Sequence, residues 1–289
     1  YRELHTDDLD AEIVKDLAIA GEAYRILYVD SEGVIRCMNE KANNLIAIEN
    51  EAGNIEFAVR IIKQINIDNT EVLKLEFYDA SSVKIYLYDN GLIFQDEYNH
   101  LFDVCPVIHF LNNNEKLGDA EKVLSLIDAY DRTLSDVNSE IESFRLAYMI
   151  FKGVRPTAED IAAAKQTGAF GIESEDDVKF LVKDLNDTII ENHLDRIERN
   201  INIFSNNVNF NDERFGNESG EAKKYKLIAL ENKCAITQRK LNNSLTRMFE
   251  IYSTASSKKG INIDPSKLTF VFKRNLPLDL LYHADIQMK

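Results

Sequence analysis

The residues best suited to chemistry are few and badly spaced for it. Ser219 sits in Gly216-Asn-Glu-Ser-Gly220, which shares its letters with the turn that presents a hydrolase serine. That turn has the order G-x-S-x-G and follows a strand; here the order is G-x-x-S-G and no strand pattern precedes it. Ser219 therefore reads as a helix cap in a polar loop. The five histidines, His5, His100, His109, His193 and His283, form no close pair and no HExxH. His193, on a helical pattern, reads as a surface or packing residue rather than a base. Asp7, Asp8 and Asp10, and the run Glu173 to Asp177, have neither the spacing nor the glycine of a calcium loop and read as solvated turns. The three cysteines, Cys37, Cys105 and Cys234, are odd in number and far apart. They read as reduced thiols of a cytosolic protein, not as a zinc site. No Walker A string or GxGxxG occurs, so any nucleotide-derived energy must come from another protein. The expectation is no catalytic residue, no metal and no cofactor.

Charge narrows the partners. The chain has 289 residues, 45% hydrophobic content and a formal charge of -15. An acidic surface repels phosphate, whereas ordinary duplex binders draw affinity from Lys and Arg. Tight DNA binding is excluded; letting DNA slide past is not. No apolar run approaches the roughly 20 residues needed to cross a bilayer, so no membrane is expected. Tyr1 to Asp10 is polar and acidic, unlike a signal peptide, and the lack of an initiator Met predicts a piece of a longer protein.

The positioning elements are α+β. Leu9, Ile13 and Leu17 predict a short helix over 7–18 that ends near Gly21. Strand patterns follow at 24–29, 34–38, 56–62, 72–78 and 83–88, with turns at Asp30 to Gly33 and Asp89-Asn-Gly91. These predict one meandering antiparallel sheet, closed by an apolar strand at Val107 to Phe110 and a polar joint at Asn112, Asn113 and Asn114. From Asp119, a plausible N-cap, the pattern turns helical. Val123, Ile127, Tyr130, Leu134, Val137, Ile141 and Phe144 step by 4 and 3 alternately, a heptad seam. A small insert follows: a strand at 147–151, a capping box at Thr157 to Asp160 opening a helix through Lys165, and strands at 169–172 and 178–182. A second seam holds Ile190, Leu194, Ile197, Ile201 and Phe204. Two seamed helices around a compact insert have the geometry of a stalk with a cap. A seam on one chain needs either its own second helix or another copy, and the sequence leaves both open. Ser205 to Gly220 is the most loop-like segment. A third helix runs over 221–252 with Leu227, Leu230, Cys234, Leu241, Leu245 and Met248 on one side, and Leu268 to Phe272 predicts a last strand rejoining the sheet.

Three ordered stretches carry a resemblance. The first is Cys105-Pro-Val-Ile-His-Phe-Leu-Asn-Asn-Asn114 with Leu126-Ile-Asp-Ala-Tyr-Asp131 and Leu134-Ser-Asp136. The second is Phe151-Lys-Gly153. The third is Arg214-Phe-Gly-Asn-Glu-Ser-Gly-Glu-Ala-Lys-Lys-Tyr-Lys-Leu227 with Leu230-Glu231, and Phe272-Lys-Arg-Asn-Leu-Pro277 adds a weaker fourth. In this order they resemble the portal proteins of long-tailed phages of Gram-positive bacteria, the head-to-tail connectors. The resemblance spans about Ala20 to Pro277.

That resemblance implies a non-enzymatic subunit of a ring of roughly a dozen copies, through which double-stranded DNA is packaged and ejected without sequence preference. It implies a portal fold: residues 1–115 as the first part of a mixed wing, 116–143 and 185–205 as a two-helix stem, 144–184 as a small α/β clip and 206–220 as a tunnel loop. Residues 221–289 are then the wing's long helix, the final strand and the start of a truncated crown. The stem would pack through Val123, Ile127, Tyr130, Leu134, Val137, Ile141, Ile190, Leu194, Ile197 and Ile201. The loop would meet DNA through Asn207, Asn209, Asn211, Asp212, Glu213, Arg214 and Asn217, whose amides and mixed charges suit weak backbone contact. The implied partners are the large terminase subunit, a head-completion or adaptor protein, the major capsid and scaffolding proteins, and further copies of the chain. The place is the capsid vertex of the virion, reached through assembly in the host cytoplasm. Without the resemblance, the same helices also suit a coiled-coil adaptor that never meets DNA.

Overall fold

The run Glu22 to Val29 is apolar at nearly every position, the pattern of a strand covered on both faces. A computed structural model describes residues 6–65, 69, 71–144, 148–152, 155–167, 177–181, 187–209 and 220–274. The chain divides into two units, residues 1–122 with 205–289, and residues 123–204. In order, the first unit holds α1 (Thr6–Ala20), β1 (Glu22–Val29), β2 (Ile35–Lys41), β3 (Leu45–Glu49), β4 (Ile55–Ile65), β5 (Glu71–Tyr78), β6 (Ser82–Tyr88), β7 (Leu92–Asn99) and β8 (Val107–Leu111). The second holds α2 (Leu124–Phe144), β9 (Tyr148–Lys152), α3 (Ala158–Thr167), β10 (Asp177–Leu181) and α4 (Asp187–Phe204). The chain then returns to the first unit as α5 (Gly220–Ser257), roughly 57 Å long at the usual helical rise. The architecture is mixed α+β, with antiparallel sheets throughout.

In the first unit β1 is the middle of a three-stranded sheet, β2-β1-β8. Its alternate residues Ala23 and Leu27 join Ile13 and Leu17 of α1 and Leu241, Leu245, Met248 and Ile251 of α5 in one core. Tyr24 and Ile26 face the other way and pack with Leu45, Ala58, Tyr78 and Val83 of a second sheet, β3-β4-β5-β6-β7. The expected single meander is thus two sheets. The reason is long-range: β8 takes the free side of β1, in register from Glu22 opposite Leu111 to Ile26 opposite Val107. Strands β3 and β7 complete the second sheet and had no strand assignment from sequence.

Local turn chemistry explains the hairpins. The Asp30 carboxylate accepts from the Glu32 and Val34 amides, and the amide of Gly33 donates to Asp30 oxygen across the expected turn. Asn90, at φ 53°, makes the Asp89-Asn-Gly91 turn between β6 and β7. At Thr157 the amide donates to Asp160 Oδ2 at 2.8 Å and the Asp160 amide returns to Thr157 Oγ1 at 3.2 Å, a reciprocal capping box at the start of α3. Two other expectations are corrected. Leu268 to Phe272 forms no strand; Phe270 and Phe272 instead lay their rings on the core, with Phe270 5.7 Å from the Phe249 ring. Asp119 does not cap a helix, because α2 starts at Leu124 after a 3-10 turn at Glu121–Val123. The expected strand at 169–172 lies outside the described residues.

One charged group lies at the centre of the first unit. Arg25 of β1 is 0% exposed. Its Nη1 donates to Asp10 of α1 at 2.6 Å, its Nε to Asn39 of β2 at 2.9 Å, and its guanidinium lies 5.2 Å from the Phe110 ring centroid. The second sheet carries its own buried charge cluster, in which Arg60 joins Glu40 and Glu76, and Glu76 accepts from Lys74 and Tyr78. Burial works against the Glu76 carboxylate, but the Lys74 and Tyr78 donors outweigh it and hold its pKa below the usual value.

The far face of the second sheet is different. Cross-strand pairing puts Ile46, Ile48, Phe57, Val59, Leu75, Phe77, Tyr86, Tyr88, Leu92 and Phe94 on the side away from the core. Four of these rings form a ladder: Phe57 to Phe77 at 5.9 Å, Phe77 to Tyr86 at 5.1 Å, and Tyr86 to Phe94 at 5.6 Å between centroids. Ile46 is 60% exposed and Phe94 55% exposed.

Candidate functional site: a loop root and its anchor

The loop singled out from sequence begins where α4 ends. Of its candidate residues, Asn207 is exposed and Asn209 half-buried. Asn211, Asp212, Glu213, Arg214 and Asn217 lie outside the described residues, as does Ser219. What the structure does place is the root of the loop. Ser205 is buried, and Asn206 turns the chain at φ 55°.

The root is held by one lysine. Lys233 of α5 donates to the Ser205 carbonyl and to Asn207 Oδ1, both at 3.3 Å, and pairs with Asp119 Oδ2 at 3.0 Å. Asp119 belongs to the segment that leaves for the second unit, and Ser205 to the segment that comes back. A single ammonium therefore ties both crossings to one helix. Its three donors match three acceptors in number.

Asparagines complete the anchor. Asn112 Nδ2 donates to Asp119 Oδ1 at 2.9 Å and to the Leu117 carbonyl at 3.1 Å, while its Oδ1 accepts from Thr237 of α5 at 2.8 Å. Asn113 donates to the Leu117 carbonyl and accepts its amide, and Asn114 accepts from Lys240. The end of α1 closes the junction. Gly21 has φ +78°, and a Cβ there would lie 2.1 Å from the Lys116 carbonyl oxygen, so only glycine fits. The amide of Asp119 donates to the Ala18 carbonyl at 2.7 Å. The polar joint read from sequence is thus a built junction of α1, the 112–119 segment, the loop root and α5. Lys233 and Thr237 were missed. The available signal was the gap that Thr237 leaves in the apolar stripe between Cys234 and Leu241.

The second unit carries the seamed helices. Helix α2 packs on α4, and β9 pairs with β10. Of the candidate seam residues, Val123 and Ile197 are buried. Ile127, Tyr130, Val137, Ile190, Leu194 and Ile201 are half-buried. Leu134 is 38% exposed and Ile141 53% exposed. The seam is thus only partly covered by the helix pair.

The chemistry on offer is structural. Ser244 and His109 line one cavity of about 370 Å³. Yet the Ser244 hydroxyl donates to the His109 carbonyl at 2.7 Å, and both ring nitrogens of His109 meet carboxylates, Glu22 at 2.8 Å and Glu49 at 2.5 Å. That imidazole has no free nitrogen to take a proton from a serine. It stacks on Tyr24 at 4.7 Å and joins β8 and β1 of one sheet to β3 of the other. A second cavity of about 450 Å³ is apolar, lined by Leu27, Cys37, Met248, Tyr252 and Phe270 among others. Burial pushes the Cys105 thiol up to about 12 and raises Cys37 as well, the opposite of activation. Among the described residues no group of three or more metal-ligating side chains occurs, and no helix is long and apolar enough to cross a membrane.

The first unit sets paired sheets against a long helix, and the second is built on two seamed helices. The family of phage portal proteins of the SPP1 Gp6-like type matches residues 1–289, and the chain belongs to that family. It is 25% identical to the portal protein of Bacillus phage SPP1 over 293 residues, covering 93% of this chain and 58% of that relative. It is 24% identical to the portal protein of Clostridium phage phiCD119 over 199 residues, covering 66% of this chain and 43% of that relative. The chain thus spans about half the length of these curated relatives.

Proposed function

We propose that this chain is part of a non-enzymatic portal subunit, which closes with other copies into a ring at a capsid vertex and lets double-stranded DNA through. Membership of the portal family across residues 1–289 carries the reading. In it the first unit is the wing, α2 and α4 are the stem, residues 144–184 are the clip and 206–220 the tunnel loop. The half-covered seam on α2 and α4 leaves apolar side chains for neighbouring copies, as a ring built of repeated head-to-tail contacts requires.

The mechanism is a conduit. A subunit of charge -15 lines or borders a lumen that repels the duplex and keeps it from sticking. The tunnel loop, with Asn207, Asn209, Asn211, Asp212, Glu213, Arg214 and Asn217, touches phosphates weakly and reads no base. Its anchor on Lys233 fixes where the loop starts. Energy comes from a terminase docked at the clip; the head-completion protein, capsid and scaffold meet other faces. The subunit assembles in the host cytoplasm and ends in the virion.

Micrographs of the purified chain together with its native mass test this reading. Closed rings with a central hole wider than a duplex, and DNA binding that is weak and indifferent to sequence, are the expected result. Dimers or filaments, or tight binding to one sequence, sink it and return the coiled-coil adaptor.

A further inference from the structure

The outer face of the second sheet has no cover among the described residues, and its make-up is not that of a solvated surface. It carries the Phe57, Phe77, Tyr86 and Phe94 ladder, flanked by Ile46, Ile48, Val59 and Leu75. Its charged residues stand at the two ends of the strands. Lys84 and Glu97 lie 3.7 Å apart at one end, and Lys63 is at the other. This is an aromatic centre within a charged rim, the anatomy of a buried interface.

Size supports the same conclusion. Five strands at roughly 4.8 Å spacing and the usual rise per residue give a footprint of roughly 600 Å². A monomer leaves at most about 300–600 Å² of contiguous apolar surface open, and a stable interface takes about 800 Å² of accessible surface from each partner. An accessible surface is larger than its flat footprint, so this face alone approaches that size.

We infer that the outer face of β3 to β7 is a subunit contact, covered in the assembly by a second copy of this chain. Composition selects the occupant. Contacts between identical subunits are the more apolar class, while transient contacts resemble ordinary surface. Nucleic acid is excluded, because an aliphatic and aromatic face offers phosphate no partner. The contact is head-to-tail: this face meets a different patch on the neighbour, which lets the contact repeat around a closed circle. The inference rests on the ring reading and adds to it the surface that closes the ring.

The test uses the whole chain and three proteins: wild type, Phe94→Glu, and Gln64→Glu on the opposite face of the same sheet. Sedimentation gives the assembly midpoint, and carbene footprinting reads Tyr86, Tyr88 and Phe94 in the assembled and monomeric fractions. The expected result is at least fivefold protection of those residues on assembly. Phe94→Glu should raise the assembly midpoint at least 100-fold with an unchanged unfolding midpoint of the monomer, and Gln64→Glu should leave both unchanged. Because Phe94 is 55% exposed, the charge needs no burial in the monomer. A milder Leu92→Lys should act in the same direction if Phe94→Glu misfolds. Rings that form with these residues as reactive as in the monomer overturn the inference and leave the ring reading standing. Protection that appears only when a different protein is added overturns it too. A wild-type chain that stays monomeric at every concentration overturns both.

Discussion

The core around β1 and the second unit of this chain are built on opposite terms. In the first, β1 is covered on both faces, α5 buries Leu241, Leu245, Met248, Ile251 and Ala255, and even a guanidinium is enclosed and paired. In the second, Val123 and Ile197 are buried while Leu124, Leu134, Ile141, Ile189, Ile203 and Phe204 stay exposed. Around β1 the first unit covers its own apolar side chains, while the outer face of β3 to β7 stays open. The second spends its apolar side chains on a surface that the described residues do not cover. A long amphipathic helix with an open seam draws its stability from a partner, since helical propensity alone is marginal.

The sharpest way to break that contrast is at Arg25. Arg25→Ala removes the guanidinium that pairs with Asp10 and empties a fully buried site between α1, β1 and α5, so unfolding free energy should fall by roughly 3–5 kcal/mol in urea titration. A fall below about 1 kcal/mol would mean the first unit is not organised around that residue. Next comes a matched pair of leucine truncations. Leu245→Ala, 6% exposed, should lose roughly 2–5 kcal/mol, while Leu134→Ala, 38% exposed, should lose less than about 1 kcal/mol in the monomer. Equal losses would erase the difference between the units.

The remaining tests are finer. Lys233→Ala frees the loop root from α5. It should lower global stability by less than about 1 kcal/mol, because Asp119 is 37% exposed, yet speed amide exchange at residues 205–207. Unchanged exchange there would show that Lys233 is not the anchor. The smallest effect concerns acid. Partial burial works against the Asp79 carboxylate, but the Ser81 and Ser82 amides and hydroxyls outweigh it and bring its pKa from 3.8 to about 2. A folded value below the unfolded one stabilises at higher pH. The contribution is present above pH 3.8 and is lost as pH falls toward about 2. Asp79→Asn keeps an acceptor and removes the titration, so the acid limb of thermal stability should flatten in that window alone.

What the sequence made legible was local. The Asp30 to Gly33 and Asp89 to Gly91 turns, the Thr157 to Asp160 box and the glycine end of α1 were all readable, because each is settled by residues a few positions apart. Partner choice was not. Nothing within 22–41 says that β1 will take β8 from more than eighty positions away, and that one pairing turns a meander into two sheets. Leu268 to Phe272 alternates like a strand, but its aromatic rings find more in the core than its amides find at a sheet edge. Asp119 has the right type for a cap, and Asn112 and Lys233 claim it instead. Of the candidate site, the two helices that carry the seams followed from spacing. The lysine that anchors the loop did not, since a lysine on a long helix is ordinarily solvated.

The ring ladder on the outer sheet also has a thermal consequence. Contact through aliphatic and aromatic groups is favoured mainly by entropy near room temperature and weakens on cooling, with a large negative heat capacity of association. Charge screening scarcely touches it. Complexes sealed by this sheet should therefore loosen on ice and reform on warming, with little response to added sodium chloride, whereas contacts of this acidic chain with phosphate should respond in the opposite way.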